Sequence, residues 1–122
     1  MLAEKMEATK ASCWLINTGW VGGKYGTGSR CKLAYTRAII NAIHSGSIAK
    51  AEYATYDVFG LQIPKSVRGV PDDVLDPRLA WADTEAFEKE RSKLAKMFVK
   101  AFKGFEDQVD PIVRSAGPNV TI

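Results

Sequence analysis

The chain has 122 residues, seventeen basic and fourteen acidic, for a net charge of +3. That is a one-domain length, and a mild basic excess interleaved with acids leaves no footprint for nucleic acid. No run of about eighteen apolar residues is present to cross a membrane. Residues 1–11 carry Glu4, Lys5, Glu7 and Lys10 where a signal peptide would be apolar.

Taken in chain order, residues 2–9 read as the end of a helix, with Leu2 and Met6 four apart. Residues 12–17 are short, apolar and bounded by turn formers, which predicts a buried strand. Residues 18–32 form a glycine loop, and Thr36 is placed to cap the next helix by offering its side-chain oxygen to first-turn N–H groups. Ile39, Ile40 and Ile43 give that helix its buried face, and Gly46 stops it. Residues 51–59 and 61–67 read as two short strands around Gly60, with Pro64 confining the second to an edge or an end. Residues 66–77 are loop. Asp83 or Thr84 caps a long helix reaching about Phe105, whose apolar positions Phe87, Leu94, Phe98, Ala101 and Phe102 follow the helical period, with Glu85 and Lys89 spaced as an i,i+4 pair. A last helical turn is expected at 110–115, capped by Asp110 with Pro111 at its first position. The fold class is therefore α/β, with a few strands and two principal helices.

Chemistry concentrates between Trp14 and Ile40. Five glycines, Gly19, Gly22, Gly23, Gly26 and Gly28, fall within ten residues, and a glycine loop before a helix lets backbone N–H groups approach a phosphate or a purine. The segment is not a P-loop. Gly23 and Gly28 have the G-x-x-x-x-G spacing, but Ser29 stands where the phosphate-binding lysine belongs and Arg30 where the hydroxyl residue belongs. Arg30 can stack on a base or bond a ribose through its planar guanidinium, or simply be solvated. Thr36 as a helix cap needs no ligand, yet a residue at a helix start stands beside free N–H groups. His44 at a helix C-terminus reads as structural. Asp72, Asp73 and Asp76 lack the spacing of a calcium loop and sit among prolines, as turn residues do. Trp14, Trp20 and Trp81 read as core or loop anchors rather than base-stacking platforms. Cys13 and Cys31 are the only cysteines; with a single histidine they are too few for a tetrahedral zinc site in one chain, and two free thiols are expected rather than a disulfide.

The wording of this stretch is more specific than its spacing. Asn17-Thr18-Gly19-Trp20, then Gly22-Gly23-x-Tyr25-Gly26-x-Gly28-x-Arg30, then residues 35–43 (Tyr35-Thr36-Arg37 onward) closely resemble ATP-dependent phosphoenolpyruvate carboxykinases. Gly46-Ser47, Phe59-Gly60-Leu61-Gln62-Ile63-Pro64, Gly69-Val70-Pro71, Leu75-Asp76-Pro77-Arg78, Trp81-Ala82, Leu94-Ala95-Lys96-Met97-Phe98 and Ala116-Gly117-Pro118 continue the resemblance in order.

The resemblance implies a gluconeogenic enzyme that decarboxylates oxaloacetate and transfers the γ-phosphoryl of ATP, giving phosphoenolpyruvate, carbon dioxide and ADP. It implies that residues 1–122 are a single partial domain, the C-terminal portion of the nucleotide-binding domain, ending close to the natural terminus. The family's P-loop, its metal ligands for magnesium or manganese and its oxaloacetate arginines then lie upstream, so no catalytic or metal-binding residue is expected here and the isolated chain is expected to be inactive. Of the family's nucleotide contacts, the resemblance places Arg30, Cys31 and Thr36 at the purine and ribose end of the ATP site. Cys31 departs from the larger apolar residue usual there, which a backbone contact would survive. The implied partners are ATP or ADP and the remainder of the carboxykinase chain, with no nucleic acid and no membrane and with self-association left open. The implied location is the cytoplasm, and Asn119-Val120-Thr121-Ile122 is not a peroxisomal address. The alternative is a non-catalytic module that packs against a partner or binds a nucleotide weakly.

Overall fold

A computed structural model describes residues 2–120; Met1, Thr121 and Ile122, the last two part of the terminal address reading, lie outside the described residues. The architecture is α/β. Helix α1 (Leu2–Thr9) is followed by two short strands, β1 (Trp20–Val21) and β2 (Ser29–Arg30), then by helix α2 (Leu33–His44). Strands β3 (Tyr53–Tyr56) and β4 (Leu61–Pro64) precede two single-turn helices, α3 (Asp72–Leu75) and α4 (Pro77–Ala80). The long helix α5 (Thr84–Phe102) and a final turn, α6 (Pro111–Ser115), complete the order. The strands pair antiparallel as two separate hairpins, β1 with β2 and β3 with β4.

The first apolar centre lies under α2. Ile48, Val67 and Val70 are buried there, with Tyr35, Ala38, Ile39, Ala42 and Ile43 of α2, and Trp14, Val74 and Leu75, packed against them. Trp14 stacks on Tyr53 at 6.4 Å, and the Tyr53 hydroxyl donates to the Ile48 carbonyl at 2.7 Å. Ile40, expected on this face, is exposed instead; it follows Ile39 by one residue, about 100° around the helix. Gly46 ends α2 as expected: its φ of +72° is the left-handed value that favours glycine, and its N–H donates to the Ile43 carbonyl.

Two expectations near the first hairpin are corrected. Residues 12–17 form no strand, and Leu15 is 93% exposed. A strand exists only when a neighbour takes up its backbone groups, and among the described residues no strand pairs with this segment. Thr36 does not cap α2, because the helix begins three residues earlier at Leu33 with Lys32 in the cap position and no side-chain cap bond.

The β3–β4 hairpin has the register Tyr53↔Pro64 through Tyr56↔Leu61, which puts Pro64 at a strand end. Its turn holds Val58 at φ +68°, a costly conformation for a β-branched residue. Asn119 donates its N–H to the Val58 carbonyl at 2.6 Å, so the C-terminal tail fastens the turn.

Helix α5 starts at Asp83, whose carboxylate accepts from the Ala86 N–H at 3.0 Å. It ends at Phe102, three residues short of the expected Phe105. Its inward line is Phe87, Arg91, Ala95, Val99 and Phe102, with Phe87 and Ala95 buried. Leu94, Phe98 and Ala101, expected as core, are exposed; Phe98 is 55% exposed despite an edge contact with Phe59 at 6.0 Å. The apolar period was right, but that stripe lies beside the inward line, and nothing among the described residues covers it. Glu85 and Lys89 form no ion pair among the described residues; the helix pairs its charges i,i+3 instead, Glu88 with Arg91 and Glu90 with Lys93. At α6, Pro111 occupies the first position as expected, while Asp110 makes no side-chain cap bond.

What attaches α5 to the hairpin is largely charge. Asp57 in the β3–β4 turn accepts from Arg78 of α4 and from Arg91 of α5, each at 2.6 Å. Glu88 pairs with Arg91 and lies 3.6 Å from Arg78 Nε. The Arg91 side chain is only 10% exposed. The Arg78 guanidinium lies over the Tyr56 ring and that of Arg91 over Phe87, both at 5.8 Å. Burial works to lower the Arg78 pKa, but Asp57 and Glu88 outweigh it and the net direction is up.

Replacing Arg91 with alanine is expected to cost about 2 kcal/mol, between the range for exposed and for buried pairs because Asp57 is open to water. Urea unfolding of both proteins measures it, and a loss under about 0.5 kcal/mol would make the pair incidental. Tyr56 adds a pH dependence. Burial lifts its phenol above the ordinary tyrosine range, with Arg91 and Arg78 pulling the other way. A phenol raised in the folded state contributes stability below its unfolded pKa, and loses it as pH rises through the folded value. Tyr56→Phe is therefore expected to flatten the alkaline limb of the stability profile above about pH 10; an unchanged limb would remove Tyr56 from it.

Candidate functional site

The site predicted from sequence sits where the first hairpin meets α2. In the hairpin Trp20 pairs with Arg30 and Val21 with Ser29, and the Cys31 N–H extends the ladder by donating to the Gly19 carbonyl at 2.9 Å. Between the strands the glycine loop closes on the Lys24 carbonyl, which accepts from Thr27 and Gly28 N–H at 3.0 and 2.9 Å. Two glycines are obligatory for close approach. A Cβ on Gly28 would lie 2.5 Å from the Gly23 carbonyl oxygen and 2.6 Å from that of Val21. A Cβ on Gly22, at φ +78°, would lie 2.8 Å from the Ala80 carbonyl oxygen at the end of α4.

Cys31 and Thr36 are brought together. The Cys31 Sγ is 3.9 Å from the Thr36 Oγ1, across the start of α2. Arg30 makes no side-chain hydrogen bond to that pair among the described residues. Its side chain is exposed, and its guanidinium has no partner among the described residues. The start of α2 is also open. Tyr35 and Thr36 donate to the Lys32 carbonyl, whereas the N–H groups of Leu33 and Ala34 have no side-chain cap. An uncapped helix start of this kind favours an anion. Cys13 and Cys31 are free thiols.

Other candidates resolve into structure. Asp76 caps α4, accepting from the Arg78 N–H at 2.9 Å, and Asp72 and Asp73 lie in the first turn of α3. His44 is the last residue of α2. Trp14 belongs to the core, and Trp81 packs edge-on to Phe87 at 5.7 Å. Trp20 differs. It is 46% exposed, and its ring contact is with Tyr25, T-shaped at 5.0 Å. Among the described residues no group of three or more His, Cys, Asp or Glu is placed to hold a metal ion, and no helix is long and apolar enough to cross a membrane. Two depressions, of about 520 Å³ on the lysine face of α5 and about 200 Å³ between β4 and α3, include none of Arg30, Cys31 or Thr36.

A glycine hairpin feeding an uncapped helix, with a free arginine at the junction, is a class of site suited to a phosphorylated or nucleotide ligand. Comparison with known proteins narrows the class. The sequence profile of the phosphoenolpyruvate carboxykinases matches residues 1–73, and the chain belongs to that family. It is 54% identical over 121 residues to a phosphoenolpyruvate carboxykinase (ATP) of Emericella nidulans, covering 98% of this chain and 20% of that protein. It is 52% identical over 118 residues to the Dictyostelium discoideum protein of the same name, covering 97% of this chain and 21% of that one. The Bacillus mycoides protein is 48% identical over 118 residues, covering 97% and 22%. The chain thus spans about a fifth of the length of these curated relatives.

Gly28→Ala is expected to destabilise the chain by more than about 2 kcal/mol, since backbone atoms on two sides cannot both give way. Thermal melts and the amide spectrum of the hairpin test this; a wild-type melt with unshifted hairpin resonances would mean the loop closes differently.

Proposed function

We propose that this chain is the C-terminal part of the nucleotide-binding domain of an ATP-dependent phosphoenolpyruvate carboxykinase, and that it supplies one wall of the purine and ribose end of the ATP site. The parent enzyme on this reading is cytoplasmic and converts oxaloacetate and ATP to phosphoenolpyruvate, carbon dioxide and ADP. The observation that carries the reading is the junction of β2 and α2. Arg30 is free there, Thr36 lies beside Cys31, and the first N–H groups of α2 lack a side-chain cap. Arg30 and Thr36 orient base and sugar, and Cys31 contributes through its backbone, which tolerates the thiol in place of a larger apolar side chain. Such groups accelerate phosphoryl transfer by alignment, since a displaced γ-phosphate loses rate steeply.

The divalent metal of the parent reaction has no ligand set among the described residues; on this reading its ligands lie in the remainder of the carboxykinase. The packing partner is the remainder of the carboxykinase. The chain exposes 9720 Å², about half as much again as the roughly 6,500 Å² expected of a compact monomer of this mass. The excess includes the apolar strip Leu94, Met97 and Phe98 of α5, a surface of the kind that marks an interface.

In the complete enzyme Arg30→Ala is expected to raise the KM for ATP about tenfold, in line with losing a charged hydrogen bond, while the KM for oxaloacetate stays near wild type. Steady-state kinetics with each substrate varied checks this, and an unchanged KM for ATP removes Arg30 from the pocket. On the chain itself, titration with ATP should selectively shift the amides of Arg30, Cys31 and Thr36.

A further inference from the structure

We propose that Trp20 is a base-stacking residue of the same site, its indole lying against the purine that Arg30 meets from the neighbouring strand; this rests on the nucleotide reading above. Directly opposed residues of an antiparallel pair carry their side chains on the same face, and Trp20 is opposed to Arg30. A flat aromatic surface and a flat, permanently charged guanidinium therefore share one side of a two-stranded hairpin.

Trp20 differs from the other two tryptophans in exposure: Trp14 and Trp81 are half-buried, whereas Trp20 is 46% exposed and lies outside the apolar centre under α2, with Tyr25 from the glycine loop meeting it edge-to-face at an interplanar angle of 80°. Tyr25 is itself exposed, so the pair orders the indole without burying it. Keeping an aromatic ring in water has a cost, and the chemistry that recovers it is stacking on another π-system. The occupant that fits both neighbours is a purine nucleotide. Its base offers a π-face to the indole and to the guanidinium, and its anionic phosphates suit Arg30 and the open start of α2.

The test uses this chain and three probes: ATP, adenosine and inorganic tripolyphosphate. With ATP and with adenosine, the adenine protons are expected to move upfield in the proton NMR spectrum, the ring-current signature of stacking, and the Trp20 indole N–H to shift. Tripolyphosphate should move Arg30 and leave the Trp20 indole in place. Trp20→Leu is expected to weaken ATP about five- to a hundredfold, the range for losing one base–aromatic stack, and Trp20→Phe to recover most of it. Amide spectra of both variants establish that they fold; should Trp20→Leu fail to fold, the upfield shift in the wild-type chain and the Phe variant still decide the matter. If Trp20→Leu binds ATP within about twofold of wild type while Arg30→Ala weakens it, stacking is overturned and the nucleotide reading stands. If ATP and adenosine leave the wild-type chain unperturbed, the hairpin has no purine surface and the proposal falls; Arg30 is then judged separately by the KM for ATP in the complete enzyme.

Discussion

Asp57 is the residue on which the arrangement of the larger half of the molecule depends. One carboxylate oxygen receives two arginines, Arg78 from α4 and Arg91 from α5, and Glu88 supplies the second negative charge the pair requires. Two cations and two anions cancel, and the arginine stems and planes gain contact with Tyr56 and Phe87. Aliphatic packing alone would hold α5 weakly, since only Phe87 and Ala95 of its nineteen residues are buried. An ion-pair network with one water-exposed member is a modest fastening. It is directional, however, and sets which side of α5 faces the hairpin.

The candidate site is organised differently, by backbone rather than by charge. Gly22 and Gly28 allow approaches that a side chain would forbid, and the short ladder from Gly19 to Cys31 delivers the chain into α2 without a cap. What remains at the junction is unspent bonding capacity: a free guanidinium, N–H groups at a helix start, and a half-exposed indole. Most exposed groups are simply hydrated. Here they differ in chemistry and gather at one junction of the chain, where β2 runs into α2.

Much of the fold was legible in the sequence because local rules decided it. Gly46 ended α2 through its backbone conformation, Asp83 began α5 through its side chain, and Gly60 turned the second hairpin. Two of the failures share one cause. Residues 12–17 have the composition of a buried strand, and Leu94, Phe98 and Ala101 have the spacing of a buried helix face, but both depend on a neighbour that periodicity cannot supply. Arg91 was missed on the inward line of α5 because a charged residue is read as outward until a partner such as Asp57, 34 residues away, is seen beside it. In the candidate site, pattern alone raised Arg30 and Thr36, each beside an equally good reading without a ligand, and Cys31 was nameable only through the family's wording. The spacing did not show that Thr36 lies inside α2 rather than at its cap. Trp20, read with Trp14 and Trp81 as a core or loop anchor, is 46% exposed and stands opposite Arg30 at the mouth of the loop.

The seat of Gly22 against the Ala80 carbonyl ties these halves together. Ala80 stands two residues after Arg78, so the glycine loop rests on the same single helical turn that the carboxylate cluster clamps. Local opening of a protein tends to follow such joints, and segments sharing one come loose as a unit. The loop and the long helix, far apart in sequence, would then exchange their amide hydrogens in step. The ordering of a ligand at the loop would be felt as slower fraying of α5, a thermodynamic coupling carried by one carbonyl and the absence of one methyl group.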